Sequence, residues 1–562
     1  MPPPRYDVAV LGSGFAGAAL AAILARQGLS VVVLEAGVHP RFAIGESMIL
    51  ETSETLRALA MLYDVPELAY FSSEPFLRRA GTSHGVKRHF GFLHHDSDGH
   101  HDVSDPLCTL QAVIPREPHG HELHLFRQDA DAALVHAAIR YGANVRQRTR
   151  VGSVQFSPEG ARIETGTETV HARFVADATG LRSVLVRQLD LAPTAPNLHT
   201  HSRGLFTHMV GVAPSARTQH RVPFRMEEGT IHHVFPGGWL WRIPFGNHRR
   251  ATNPLTSVGL MLDPRVWPER PDLTPEDEFR QFVARSPLLQ EAFTSARAAR
   301  PWTRTGRVQH RPTQTVGDGW ALIGLAAGFV DPLFSKGLYS SLHSVGVLAH
   351  LLLTAREPDG RLPRISHDAL APLAEAQARF LKANDRIVAA AYHAWANPRL
   401  WKPVSVLWLL GAYTEFVRLL TLRFGAAQTG RQLDRDTYMT GFTHLGLVGG
   451  GFEGFEALSA RLTDRVLATD TSAPQAAEAL AHHVHTELEA LDWMPAEFRA
   501  VLRGQTHLHR SKFRLSEVLR EGGVLGRGAF RRAIFGDLSL LRLARAMIAD
   551  KLRFTYPTLT SA

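Results

Sequence analysis

Apolar and polar positions change period several times along the chain, and the changes mark its elements. Residues 7–35 read DVAVLGSGFAGAALAAILARQGLSVVVLE. The apolar run that ends at Leu11 predicts a buried strand, and alanines and apolar residues then recur at helical spacing from the glycine break to Gln27. Gly28 stops that helix, and Ser30 to Leu34 predicts a second buried strand closed by Glu35. Residues 151–176 alternate short apolar strands with turns, ending in FVADATGLRS at 174–183. From about 197 to 316 short alternating runs such as LFTHMVGV and TSVGLML predict an antiparallel sheet. Trp320 to Ile323 then predicts a strand, 324–336 a long turn and Gly337 to about Thr354 a helix, and the last two hundred residues carry mostly helical periodicity.

These elements predict an α/β protein: a Rossmann-type nucleotide domain over 1–196, an inserted antiparallel-sheet domain over 197–316, a return segment over 317–360 and a C-terminal, mainly helical region over 361–562. Gly12, Gly14 and Gly17, with Phe15 and Ala16 between them, open the first helix in the GxGxxG pattern. Its glycines serve a tight turn, close approach of a pyrophosphate and close helix–strand packing, and the helix N-terminus favours an anion. Glu35, eighteen residues after Gly17, is placed to accept hydrogen bonds from a ribose.

Further segments converge on the same cofactor. Arg41 and Gly45-Glu46-Ser47 follow the first unit, Arg127 stands at a strand–helix junction, and Asp177 and Gly180 follow a buried strand. Several separated contacts favour FAD over NAD, whose sites rest mainly on the first unit. In the return segment Gly324, Asp331, Gly337 and Leu338 are cofactor candidates, and the helix that begins at Gly337 offers free N–H groups to a small anion.

Composition narrows the classes. The chain has 562 residues, 44% hydrophobic and 20% charged, which is enough for two or three domains. A single cysteine excludes an internal disulfide framework and any cysteine metal cluster, and it favours a reducing cytoplasm. The formal charge of +9 is spread arginine without a basic tract, so nucleic acid is not an expected partner. Only six lysines occur, which makes Lys87 and Lys336, both beside chemical motifs, informative. Lys87 falls in a strand predicted over 85–93, amid His84, His89, His94, His95, His100 and His101; a solvated histidine-rich loop fits these better than a metal site. Trp239 and Trp241, two apart in GGWLWRIPFG, share one face of a strand. The apolar stretch 403–421 is interrupted by Glu415 and Arg418, which favours a buried or surface-docking helix over a transmembrane span. Gly449-Gly450-Gly451 is expected to be a flexible turn.

Together the motifs resemble the flavin-dependent halogenases. Trp239-Leu240-Trp241-Arg242-Ile243-Pro244 matches the family's W-x-W-x-I-P and occurs with the glycine turn, Gly45-Glu46-Ser47 and FVDPLFSKG at 329–337. The resemblance covers residues 5–360. It implies FAD used as FADH2, O2, and chloride or bromide converted to hypohalous acid beside the flavin. Trp239, Trp241, Ile243 and Pro244 would line the oxidant passage, Lys87 would be the catalytic lysine, and Ser335, Lys336 and Gly337 would bind halide. Phe334-Ser335-Lys336-Gly337 stands where tryptophan halogenases carry Glu-Ser-Thr-Gly, which fits the phenol and aromatic-polyketide branch, of tetracycline-halogenase type. Leu325 replaces the aspartate that flavin hydroxylases place after glycine, with Asp331 as a candidate to compensate. No second nucleotide unit is visible, so a separate flavin reductase is the implied partner, with an aromatic substrate that is free or tethered to a carrier protein. His89 and His94 are candidate bases for a phenol. A hydroxylase or geranylgeranyl-reductase-like flavoprotein, and a catalytically inactive flavoprotein that acts as a binding partner, are the alternatives.

Overall fold

A computed structural model describes residues 5–116, 119–195, 197–214, 222–427, 433–445, 453–471 and 473–508, with 545–546, 548–549 and 552. The glycine cluster at 449–451 lies outside these. The strand Arg5–Leu11 is central in an eight-stranded sheet, between Val31–Leu34 and Thr169–Asp177, and both pairings are parallel. Trp320–Leu322 extends the sheet in parallel beyond Thr169–Asp177, so the return segment joins the first domain. The hairpin of Val151–Ser157 and Gly160–Thr165 adds antiparallel to the same sheet. Register brings Leu11, Leu34, Asp177 and Leu322 into one row at the carboxyl ends of their strands, where open α/β sheets place their ligands.

The helix Phe15–Arg26 is buried nearly all round, and its alanines allow it to be. Small side chains let the sheet and the helices Arg127–Arg140 and Gly337–Thr354 all close on it. Gly17 is the tightest point: a Cβ there would lie 2.1 Å from the Gly12 carbonyl oxygen.

A second sheet of nine strands is mainly antiparallel and not confined to 197–316. It takes His89–His94 and Thr109–Val113 from upstream, and His89–His94 pairs parallel to Thr230–Phe235. The strand expected over 85–93 is broken at Arg88. Gly85–Lys87 pairs instead with Glu122–His124 in a separate two-stranded ladder, which opposes Lys87 to Glu122. The break turns the chain so that Lys87 and Phe90 serve different sheets.

Two helices dominate the C-terminal region, Ala371–Ala394 and Pro398–Ala426. The second has the length and hydropathy of a membrane span, but 83% of its most apolar window is buried within the protein, as expected for a core helix. One neighbour is the helix Leu50–Leu62, whose LETSETLRALAML pattern is polar although every residue from Glu51 to Ala60 is buried. Partners explain this. Glu54 is fully buried between Arg57 and Arg423, with Arg57 Nη2 at 3.1 Å and Arg423 Nη2 at 3.2 Å from its Oε2. Burial by itself would raise the Glu54 pKa, but the two guanidinium groups more than offset this and lower it.

Two outcomes follow from this packing. Arg423→Met leaves Glu54 with one partner and should cost about 3–5 kcal/mol in denaturant unfolding, because a buried charge loses its counterion. The depressed Glu54 pKa contributes stability that is present above the ordinary value of 4.5 and lost as pH falls below it, so Glu54→Gln should flatten the acid limb of the stability profile. In addition, Gly17→Val should force helix and turn apart, costing about 1–3 kcal/mol and abolishing nucleotide binding, read by flavin absorbance of the purified protein.

Candidate functional site

Two cavities lie on either side of a thin partition. The first has a cavity volume of about 230 Å³ and is lined by Gly45, Glu46, Ser47 and Arg127, by Trp239, Trp241 and Ile243 of the strand Gly238–Pro244, and by Leu325, Ser335, Gly337 and Leu338 of the return segment. The second has a cavity volume of about 90 Å³ and is lined by Glu51, Phe90, Phe334, Lys336, Trp408 and Phe416, with Phe498 and Leu508 closing it from the C-terminal region. The segment 334–337 threads the partition. Phe334 and Lys336 face the second cavity and Ser335 and Gly337 the first. Ser335 holds φ +57°, a left-handed conformation that is costly for a residue other than glycine and is kept here by the turn bond from its N–H to the Pro332 carbonyl.

Lys87 is fully buried and lines neither cavity itself. Its amine donates to Ser47 Oγ at 2.6 Å and to the Met48 carbonyl at 2.8 Å, and it lies 3.1 Å from the centroid of the Phe90 ring. Ser47 lines the first cavity and Phe90 the second, so the amine stands between them. Burial drives its pKa well below the ordinary lysine value, and the nearby carboxyls of Glu122 and Glu51 only partly oppose this. Glu122, bonded by Ser53, is raised to about 7 by burial. Thr230 Oγ1 completes the cluster between Ser47 Oγ and His124 Nε2, at 2.9 and 3.0 Å.

The tryptophans are fixed individually. The Trp239 indole N–H reaches Tyr392 OH at 3.1 Å and Asp331 Oδ1 at 3.2 Å, while that of Trp241 donates to Ser257 Oγ at 3.1 Å. Their rings pack 5.5 Å apart. Trp241 lies flat across the neighbouring strand because residue 259 is glycine; a Cβ there would lie 2.0 Å from the indole.

The residues present fit FAD. The helix at Phe15 begins on Gly14 with no side chain on its free N–H groups, and the helix at Gly337 is likewise uncapped. Glu35 closes the first unit, accepting from Ser13 N–H and Oγ, Gly37 N–H and Arg41. The Arg41 guanidinium also lies 3.7 Å from where a Gly14 Cβ would be. A Cβ on Gly324 would stand 3.4 Å from Ala16, so the glycine turn and the return segment meet. Phe15 is buried edge-on to Phe71. Leu181, in the short turn of helix that starts at Gly180, reaches the first cavity. Arg127 lines that cavity, but its guanidinium is held by Asp131 and by the Ile44 carbonyl.

Several sequence expectations need correction. Lys336 does not join Ser335 and Gly337; its amine pairs with Glu51 on the other side of the partition. Asp331 spends both oxygens on Trp239, the Leu333 N–H, Ser202 and Tyr392, so it orients a tryptophan and does not stand in for the aspartate missing at Leu325. Burial raises its pKa to about 6, against those hydrogen bonds. The Asp177 carboxylate is consumed by Thr179, Ser183 and Leu185 and holds the turn. His84, His89, His94, His95 and His101 are buried, not solvated, and only His100 is exposed; no metal-ligand cluster occurs among the described residues. His89 and His94 bond to the Arg225 and Trp395 carbonyls and line neither cavity, so neither is placed as a base. Glu51, Phe90, Glu122, Thr230 and Tyr392 were not singled out by sequence. Glu51 alone had a local signal, an acid one helical turn after Ser47.

Comparison with known proteins agrees with this architecture. A family model described as an FAD binding domain matches residues 5–354. Tetracycline 7-halogenase from Kitasatospora aureofaciens is 39% identical over 502 residues, 87% of each chain. Monodechloroaminopyrrolnitrin halogenase PrnC from Pseudomonas fluorescens is 40% identical over 439 residues, 76% of each. The crystal structure of halogenase PltM in complex with phloroglucinol and FAD is 30% identical and superposes with a TM-score of 0.81, covering 89% of this chain and 99% of that one. With the FAD domain, the paired tryptophans and these relatives in hand, the chain belongs to the flavin-dependent halogenases and is an FAD-dependent enzyme.

Proposed function

We propose that this enzyme uses FADH2, O2 and chloride or bromide to halogenate an electron-rich aromatic natural product, a phenol or an aromatic polyketide, through hypohalous acid. The observation that carries the reading is the buried Lys87 amine, which bonds Ser47 in the wall of the first cavity and covers Phe90 in the wall of the second. When bound as FADH2, FAD supplies the electrons that reduce O2 and let halide become hypohalous acid in the first cavity.

The residues do the rest. Gly337, at the uncapped start of the helix Gly337–Thr354, presents its N–H to halide, and Ser335 lines the cavity beside it. Trp239 and Trp241, pinned by Asp331, Tyr392 and Ser257, wall the first cavity with apolar surface and keep substrate away from the flavin side. Lys87, whose amine burial makes a weaker base than an ordinary lysine, takes up hypohalous acid at Ser47 and delivers the halogen past Phe90. A flat ring fits the second cavity, whose wall includes Phe334 stacked on Trp408 at 4.3 Å. Among the described residues there is no second dinucleotide unit, which supports a separate reductase as the source of FADH2, and the single cysteine supports a cytoplasmic setting.

The primary test combines the enzyme with FAD, a flavin reductase, NADH, O2 and halide over a panel of phenolic polyketides, read by mass spectrometry. The expected product carries the halogen isotope pattern; gain of oxygen or of two hydrogens would refute the reading. Lys87→Ala should lose at least ~100-fold in product while binding FAD and consuming O2 as the native enzyme does. Because the amine must be neutral, turnover in the native enzyme should fall as pH drops through the depressed Lys87 value, well below 10.5. A fall centred near the ordinary lysine pKa of 10.5 would contradict that role.

A further inference from the structure

The second cavity is lined by apolar side chains apart from Glu51, Lys336 and Tyr413. Glu51 and Lys336 form an ion pair in its wall, and each side chain is only 3% exposed. An ion pair in such a place costs desolvation energy that an apolar pair would avoid, so its retention calls for a use. The pair is also unevenly satisfied. Lys336 contacts Oε1 of Glu51, while among the described residues no group donates to Oε2. Glu51 begins the helix Leu50–Leu62, three residues after Met48, whose carbonyl holds Lys87. The free oxygen and the Lys87 amine are therefore positioned by one short stretch of chain, and Glu51 is near enough to act electrostatically on Lys87.

We propose that Glu51, clamped by Lys336, accepts the hydrogen bond and then the proton of the substrate's ring hydroxyl, and thereby selects the ring carbon presented to Lys87. The inference rests on the halogenase reading above and names the group recognised: a hydroxyl on the aromatic ring. As the C–X bond forms, the O–X bond of hypohalous acid breaks with its electron pair leaving on hydroxide, and the phenolic proton passes to Glu51, which leaves a halogenated dienone. Hydroxide removes the proton from the substituted ring carbon as water, and Glu51 returns its proton to the ring oxygen. The sum is a halophenol and water from a phenol and hypohalous acid. Lys336 pairs with the carboxylate in an apolar wall and fixes its direction; it is a positioning residue.

The test separates binding from turnover. Resorcinol and its dimethyl ether are titrated by calorimetry against the FAD-loaded enzyme, then resorcinol is halogenated and its isomers resolved. Glu51→Gln should weaken resorcinol binding by at least ~10-fold and leave the dimethyl ether within about two-fold. It should also change the isomer ratio and the KM more than flavin oxidation. The double variant Glu51→Gln/Lys336→Met, which leaves no buried charge unpaired, should show the same discrimination and guards against misfolding of the single variant. Equal loss for both ligands, no loss for either, or no resorcinol binding by the native enzyme would overturn the assignment. Native enzyme that binds resorcinol selectively but never halogenates any phenol would instead refute the halogenase chemistry and leave the hydroxyl recognition standing.

Discussion

A lysine amine buried between two cavities is the constraint on which the site depends. An ammonium there would lose several kcal/mol of hydration, so the position is tolerable only for an amine that is largely neutral and already hydrogen-bonded. Ser47 and the Met48 carbonyl provide those bonds, and Phe90 covers the remaining side. Each of these comes from a different level of the fold. Ser47 and Met48 follow the nucleotide unit, Lys87 ends a two-stranded ladder, and Phe90 belongs to the large sheet. The strand break at Arg88 is what allows Lys87 and Phe90, three residues apart, to meet around one amine.

The partition has the same logic. Residues 334–337 alternate between the cavities, so one short turn serves the walls of both. It is held at one end by the Pro332–Ser335 turn and at the other by the helix that starts at Gly337. The carboxylate of Asp331, just ahead of the turn, ties the segment to Trp239 and Tyr392. Flavin-side geometry, tryptophan orientation and the substrate wall are thus coupled through a few residues.

Burial of polar groups runs through the whole structure. The helix Leu50–Leu62 looks solvent-facing by pattern, yet it lies in the core because Glu51, Ser53 and Glu54 each meet a partner from elsewhere in the chain: Lys336, Glu122 and Arg423. The buried histidines behave alike, each satisfied by a backbone carbonyl or another ring, with burial lowering their pKa values and leaving them neutral. The C-terminal helices supply much of this environment, since Arg423, Trp408 and Phe416 all lie on Pro398–Ala426.

What the sequence determined by itself is local and periodic. The glycine turn, the alanine helix, the flanking buried strands and the return strand and helix are each written in consecutive residues, and so is the shared face of Trp239 and Trp241. Hydrophobic period and glycine placement suffice for these because the interactions that decide them span a few residues. Contacts between distant segments left no such trace. Nothing in 334–337 tells Lys336 to turn from Ser335 toward Glu51, nothing near Asp331 announces Trp239, and a run of histidines reads as polar until the core closes over it. Those outcomes depend on which partners arrive from hundreds of residues away to repay desolvation, and only the tertiary structure decides that.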